Sequence, residues 1–319
     1  MSDWLIIAAG LAILTAGADV LIRGASALAR RCGVSELLIG LTLVGFGTST
    51  PELVSSIQAA LSGSPGVALG NVIGSNIVNI LLILGLSAAI APFAVDQRAF
   101  KRDGAVVLGA TVAVIAVSMT GEFNRIAGAG FLAAISAYIM YAFWSERSAP
   151  DSASSQILTA EAAELPAGPK SVLLDILLVL GGLAALAGGA KLLVGGAISV
   201  AADLGVSETV IGLTVVAVGT SLPELVTSVM AAVRGKSALA LGNVVGSNIY
   251  NALFILGATA LVQPVATPAQ ILRFDNWVML AATIALVLFA RTKASMSRLE
   301  GVTLMGGYGA YLLWTIASA

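Results

Sequence analysis

The sequence predicts an all-α membrane protein of about ten transmembrane helices arranged as two inverted five-helix repeats, and three observations carry that expectation. The 319 residues are 58% hydrophobic and only 10% charged, more apolar surface than a water-soluble domain needs to bury. Apolar runs of spanning length recur along the chain, separated by short charged or Gly/Pro-rich stretches. The third is internal self-similarity at a fixed offset, the signature of duplication.

The apolar runs lie near 4–22, 36–61, 67–91, 104–120 and 126–144, and again near 173–195, 208–233, 238–262, 276–290 and 299–317. The first could be mistaken for a signal peptide, because Ala27, Leu28 and Ala29 make a small-residue site after it. The segment before it carries Asp3 and no positive charge, and the run is long enough to span, so it reads as the first transmembrane helix. Residues 145–171, rich in Ala, Ser, Pro and Glu and without apolar periodicity, read as a polar linker between a first repeat, 1–144, and a second, 172–319.

Charge sets the expected orientation. One set of alternate loops holds Arg23, Arg30, Arg31, Arg98, Lys101, Arg102, Arg147, Lys170, Arg234, Lys236, Arg291, Lys293 and Arg298, and the opposite set only Arg125, Lys191 and Arg273. Cytoplasmic loops are the ones enriched in Lys and Arg, so both termini are expected outside and the linker in the cytoplasm. A net charge of -1 with no basic run removes nucleic acid as a partner. No histidine and a single cysteine, Cys32, exclude disulfides and imidazole-based zinc or copper sites. Any metal ion must be held by oxygen, and neither a resident cofactor nor a catalytic constellation is evident. The expected partners are small cations and the lipid bilayer, with no obligate protein partner.

Residues 33–88 align without gaps on residues 205–260, with about 35 of 56 positions identical. GTSTPELV matches GTSLPELV, and ALGNVIGSNIVN matches ALGNVVGSNIYN. Five spans per half is an odd number, so the second half enters from the opposite side. Inverted repeats place substrate sites near the midplane at their interface and can expose them alternately to either side, an architecture for transport.

Within the second and seventh spans stand Gly45, Thr48, Ser49, Pro51 and Glu52, and Ala217, Thr220, Ser221, Pro223 and Glu224. Proline cannot donate to the carbonyl four residues earlier, so Pro51 and Pro223 are expected to break the helix and release the oxygens of Gly47 and Gly219. A carboxylate at the bilayer centre costs about 2.5 to 3.5 kcal/mol on insertion scales. Glu52 and Glu224 have no basic neighbour in sequence, so they read as cation ligands and not as protonated or paired groups. On the third and eighth spans, Ser75 and Asn79, and Ser247 and Asn251, each lie four residues apart on one helical face and are assigned to the site. Asn71, Asn76, Asn243 and Asn248 are expected to satisfy broken backbone, with Gly70, Gly74, Gly242 and Gly246 as close-packing positions. Asp19 and Lys191, equivalent in the two halves, read as snorkelling interfacial charges, with gating as the other option. Trp4, Trp144, Trp277 and Trp314 read as interfacial anchors. Two carboxylates among neutral oxygens carry -2, which one divalent cation neutralises and several monovalent cations could replace, favouring coupled exchange.

At these motifs the sequence resembles the sodium/calcium exchanger family of the cation/calcium antiporter superfamily, in its compact prokaryotic form. The resemblance implies a secondary active antiporter that exchanges calcium for sodium by alternating access. Its cation sites would lie between the second, third, seventh and eighth helices, and the first and sixth would slide across them. It implies Thr48, Ser49, Glu52, Ser75, Asn79, Thr220, Ser221, Glu224, Ser247 and Asn251 as ligands, with carbonyls of Gly45 and Ala217. Some relatives carry Asp at the position of Asn251, which makes potassium co-transport less expected here. A proton-coupled calcium exchanger and a passive cation channel remain the alternatives.

Overall fold

The computed structural model describes residues 3–32, 34–147, 171–203, 217–292 and 294–318. Most of the linker expected at 145–171 and the first part of the seventh expected span lie outside the described residues. What is described is helical apart from turns and four two-residue strands. In chain order the helices of the first half are α1 (Asp3–Cys32), α2 (Glu36–Ile39), α3 (Gly45–Thr48), α4 (Thr50–Leu61), α5 (Pro65–Ile77), α6 (Gly85–Ile90), α7 (Gln97–Ser118) and α8 (Arg125–Arg147). Those of the second are α9 (Val172–Asp203), α10 (Ala217–Thr220), α11 (Leu222–Val233), α12 (Ser237–Ile249), α13 (Leu256–Val262), α14 (Asn276–Thr292) and α15 (Arg298–Ser318). Six helices among the described residues are long and apolar enough to cross a membrane: Asp3–Cys32, Pro65–Ile90, Arg125–Ser145, Val172–Leu193, Ser237–Val262 and Ile271–Thr292. The chain is an all-helical integral membrane protein.

Several helices outrun their apolar cores. Helix α1 continues past residue 22 to Cys32 because its polar end finds partners: Arg31 pairs with the buried Asp175 of α9, and Asp19 pairs with both Arg23 and Arg234. Asp19 is therefore not a free snorkelling charge; it ties α1 to the end of α11.

Helices α1 and α9 pack along their length through glycines spaced seven apart on both. A Cβ placed on Gly10, Gly17 or Gly24 would lie 2.6, 3.0 or 2.9 Å from the backbone nitrogen of Leu193, Leu186 or Val179. As one residue number rises by seven the other falls by seven, so the helices run antiparallel. Gly182 and Gly189 repeat the contact against Leu21 and Leu14. Backbones this close exchange dispersion contacts that larger side chains would prevent, the means by which helices associate where lipid is as apolar as they are.

The two halves also clasp each other reciprocally. Strand β1 (Phe93–Ala94) pairs antiparallel with β4 (Ser295–Met296), and β2 (Glu122–Phe123) with β3 (Val265–Ala266). Gly85 of α6 meets Gly301 of α15, and Gly257 of α13 meets Gly128 of α8, each at backbone contact. Thr111 of α7 and Thr283 of α14, 172 residues apart, share a hydrogen bond at 3.2 Å. The two ladders are counterparts of each other, as are the two glycine pairs, and Thr111 meets its own counterpart in the other half.

Candidate cation site

The second span is interrupted at Ser49, whose ψ of 5° ends α3 and lets α4 start anew; Ser221, ψ 9°, does the same before α11. Both sit in the sparsely populated bridge region where active-site residues recur. The break differs in detail from expectation. Backbone N–H groups at the Ser49 cap reach the carbonyls of Gly45 and Gly47, so the Gly47 oxygen is held by the backbone and not released. Proline is the second residue of each new helix, inside its first turn, where its missing N–H is harmless.

The interruption turns Glu52 and Glu224 inward, and each is only 1% exposed. Their contacts cross between the halves. The Ser49 hydroxyl donates to Glu224 Oε1 at 2.9 Å, and the Ser221 hydroxyl donates to Glu52 Oε1 at 3.1 Å. Ser221 Oγ also lies 3.4 Å from Ser75 Oγ, and the Ser247 hydroxyl 3.5 Å from the Gly45 carbonyl. The Thr48 hydroxyl lies 3.0 Å from the Val44 carbonyl and 3.2 Å from Asn243 Oδ1. Glu52, Glu224, Ser49, Ser221, Thr48, Ser75, Asn79, Ser247, Asn251 and Gly45 are all buried. Thr220 is half-buried, and Ala217 is the first residue of α10.

What the carboxylates lack is as informative. Among the described residues no lysine or arginine pairs with either, and Oε2 of both has no hydrogen-bond partner in the protein. Asn79 and Asn251 are buried with neither amide atom partnered. Each opens onto a π-helical turn, Val78–Leu84 and Tyr250–Ile255, a local widening frequent at functional sites. A buried polar atom without a partner costs about 1 to 3 kcal/mol, so this convergence of unmatched oxygens demands a reason beyond packing.

The asparagines one turn away are matched. Asn71 donates to the Glu52 carbonyl at 3.1 Å and to Ser56 Oγ at 2.8 Å; Asn243 does the same to the Glu224 carbonyl at 3.4 Å and to Ser228 Oγ at 2.9 Å. These amides hold the backbone from which each glutamate projects. Asn76 and Asn248 serve otherwise, donating to Met279 Sδ at 3.6 Å and to the Val244 carbonyl of its own helix at 2.7 Å. Ser56 and Ser228 were missed in the sequence, although both follow their glutamate by four residues, two positions past the duplicated PELV motif.

Comparison with known proteins identifies the family. The profile of the family described as "Sodium/calcium exchanger protein" matches residues 2–145 and 174–317. The putative antiporter CaxA of Alkalimonas amylolytica is 37% identical over 309 residues, covering 96% of both chains. The sodium/calcium exchanger MaX1 of Methanosarcina acetivorans is 35% identical over 341 residues, covering 98% of this chain and 97% of its own. A structure of the sodium-calcium exchanger NCX_Mj, soaked with sodium and strontium, superposes with a TM-score of 0.83 at 32% identity, over 99% of this chain and 98% of that one. With matches that span both halves and nearly the whole length, the chain belongs to the sodium/calcium exchanger family.

Proposed function

We propose that this chain is a secondary active antiporter that exchanges calcium for sodium across the membrane by alternating access. The carrying observation is the pair of buried carboxylates, each bonded to a serine of the opposite half and each with one oxygen unmatched. Glu52 and Glu224 hold the divalent ion. Hydroxyls of Thr48, Ser49, Thr220, Ser221, Ser75 and Ser247, amide oxygens of Asn79 and Asn251, and carbonyls of Gly45 and Ala217 complete an all-oxygen shell of the kind calcium takes. Sodium ions compete for the same oxygens. NCX_Mj is described as showing extracellular ion exchange and induced binding-site occlusion, and the same behaviour is proposed here.

The proposal includes ten spans in two oppositely directed halves, 1–144 and 172–319. The reciprocal ladders, the antiparallel α1 and α9, and the Thr111–Thr283 contact support it. The excess of Lys and Arg in one set of loops supports a cytoplasmic linker and both termini outside. Purified protein in sealed vesicles tests the function. Calcium uptake should follow an outward sodium gradient at fixed pH and stop when internal sodium is replaced by choline. Uptake driven equally by a pH gradient without sodium would overturn sodium coupling, and flux without any counter-ion would overturn exchange.

A further inference from the structure

Both α1 and α9 pack against α11, the helix that carries Glu224, whereas neither packs comparably against α4, the helix that carries Glu52. Matched positions of the duplication record the same imbalance. At the offset of 172 residues, Val54, Ser55, Gln58 and Ala59 of α4 correspond to Val226, Thr227, Met230 and Ala231 of α11. Val54 and Gln58 are exposed where Val226 and Met230 are half-buried, and Ser55 and Ala59 are half-buried where Thr227 and Ala231 are fully covered. The helices that lead from the two glutamates toward opposite faces are therefore alike in sequence and unlike in cover. The covered one, α11, leads to Arg234 in the Lys/Arg-rich set of loops.

An ion pair joins the cover to what it covers. Arg234 stands at the end of α11, about 15 Å of helix beyond Glu224, and its guanidinium pairs with Asp19 of α1. Asp19 does not depend on it, since Arg23 of the same helix holds the carboxylate with Nη2 at 2.8 Å and Nε at 3.2 Å. Parting the pair would leave no orphaned carboxylate, and the Arg234 side chain, already 35% exposed, would pass to water. An ion pair of this kind is weak enough to open and strong enough to bias a balance between two arrangements. The other half has no such fastening. Asp19, Arg23 and Arg234 correspond to Lys191, Gly195 and Ser62, and Lys191 makes no ion pair among the described residues.

We propose that Asp19 and Arg234 form a one-sided latch that holds α1 over α11, and that the site opens toward the Lys/Arg-rich face only when the pair parts. The inference rests on the alternating-access reading and adds the contact that biases it: the latched arrangement covers the Glu224 helix and leaves the Glu52 helix uncovered. Arg23 takes over Asp19 on release, so the latch opens without stranding a charge inside α1.

The native Cys32, exposed at the end of α1, and an A238C substitution at an exposed position near the start of α12 accept nitroxide labels whose separation pulsed electron paramagnetic resonance reads in the ion-free protein. D19N and, separately, R234Q should raise the population with α1 displaced about threefold over the parent, the bias expected of a partly exposed pair. R234K, which keeps the charge, should stay near the parent, and D19N/R234Q should go no further than either single change. K191Q should leave the distances as they are. Parent-like distances in D19N and R234Q, even with earlier thermal unfolding, would reduce the pair to a static brace and overturn the latch; an equal shift in K191Q would overturn its one-sidedness. In a C32A background, D19C/R234C bridged by a short thiol-specific cross-linker should lose sodium-driven calcium uptake and regain it on reduction, and undiminished uptake while bridged would also overturn the latch. The distance measurement needs no transport, so distances that respond in a protein that moves no calcium would sink the exchanger reading and leave the latch standing.

Discussion

Replacing Glu52 by Gln removes one of two buried charges while keeping an oxygen in place and nearly the same volume. Glu52 has no basic partner among the described residues, and its carboxylate accepts from the Ser221 hydroxyl. Two unit charges about 4 Å apart interact by about 4 kcal/mol at an effective dielectric constant near 20. A divalent ion at that range therefore loses about 8 kcal/mol of attraction and a monovalent ion about 4 kcal/mol. If the amide oxygen and rehydration return half of this, calcium still loses about 4 kcal/mol, close to a thousandfold in affinity. Sodium loses about half as much in free energy, roughly thirtyfold. Calcium binding by isothermal titration and calcium uptake into sodium-loaded vesicles read the two effects. Folding provides the control. The substitution removes an uncompensated buried charge, so ion-free E52Q should unfold at the same temperature as the parent or higher. The upward shift that saturating calcium gives the parent should vanish. Calcium affinity within about tenfold of the parent, in a variant that melts normally, would refute the assignment of Glu52 as a ligand.

Two further outcomes follow from the packing. Asn243→Ala leaves the Glu224 carbonyl and Ser228 without their shared donor, and should lower stability by about 1 to 3 kcal/mol, read as earlier thermal unfolding in detergent; Asn71→Ala should match it, because Glu52 and Ser56 are held the same way. Gly182→Val drives a side chain into backbone, since even a Cβ there would lie 2.7 Å from the Leu21 nitrogen; overpacking costs about 1 to 3 kcal/mol. Gly181→Ala, with nothing within 4 Å of the added carbon, should be neutral or slightly stabilising, and equal melting of the two variants would mean the glycine seam does not hold α1 to α9.

Glu52 and Glu224 were legible as candidates because a carboxylate inside a long apolar run is too costly to be incidental, the duplicated GTSxPELV motif fixed their equivalence, and the structure buries both. Ser49 and Ser221 were legible as neighbours, yet nothing in the spacing said that each would bond the glutamate of the other half. That link joins residues about 170 positions apart and exists only once the halves are docked. The break at Ser49 was placed correctly to within a turn, but proline chemistry alone misassigned the Gly47 carbonyl, because local cap geometry supplied donors that a proline rule does not count. The glycines at 10, 17, 24, 182, 189 and 196 carry a seven-residue period that could have paired α1 with α9 from sequence alone. The two short ladders could not have been found: two residues hold no periodicity. Asp19 looked like an interfacial charge because its partner, Arg234, lies in the other half.

The arrangement of the glutamates bears on why exchange and not leak is the expected behaviour. Each Oε1 already accepts from a serine, so the serines stabilise the carboxylates without neutralising them. The remaining Oε2 atoms, and both amide atoms of Asn79 and Asn251, are buried and unmatched, so the ion-free protein holds charge that the surrounding helices do not compensate. Moving that charge past the apolar walls of the site costs more than moving a neutral complex. One divalent ion cancels it, and so do two monovalent ions, whereas a single monovalent ion leaves one charge uncancelled. On the proposed assignment of Glu52 and Glu224 as ligands, crossing is then confined to loaded states, and the coupling arises from the count of carboxylates. Asn251 matters here as much as the glutamates, for a third carboxylate at its position would leave the calcium-bound site negative and require a further cation for the same passage.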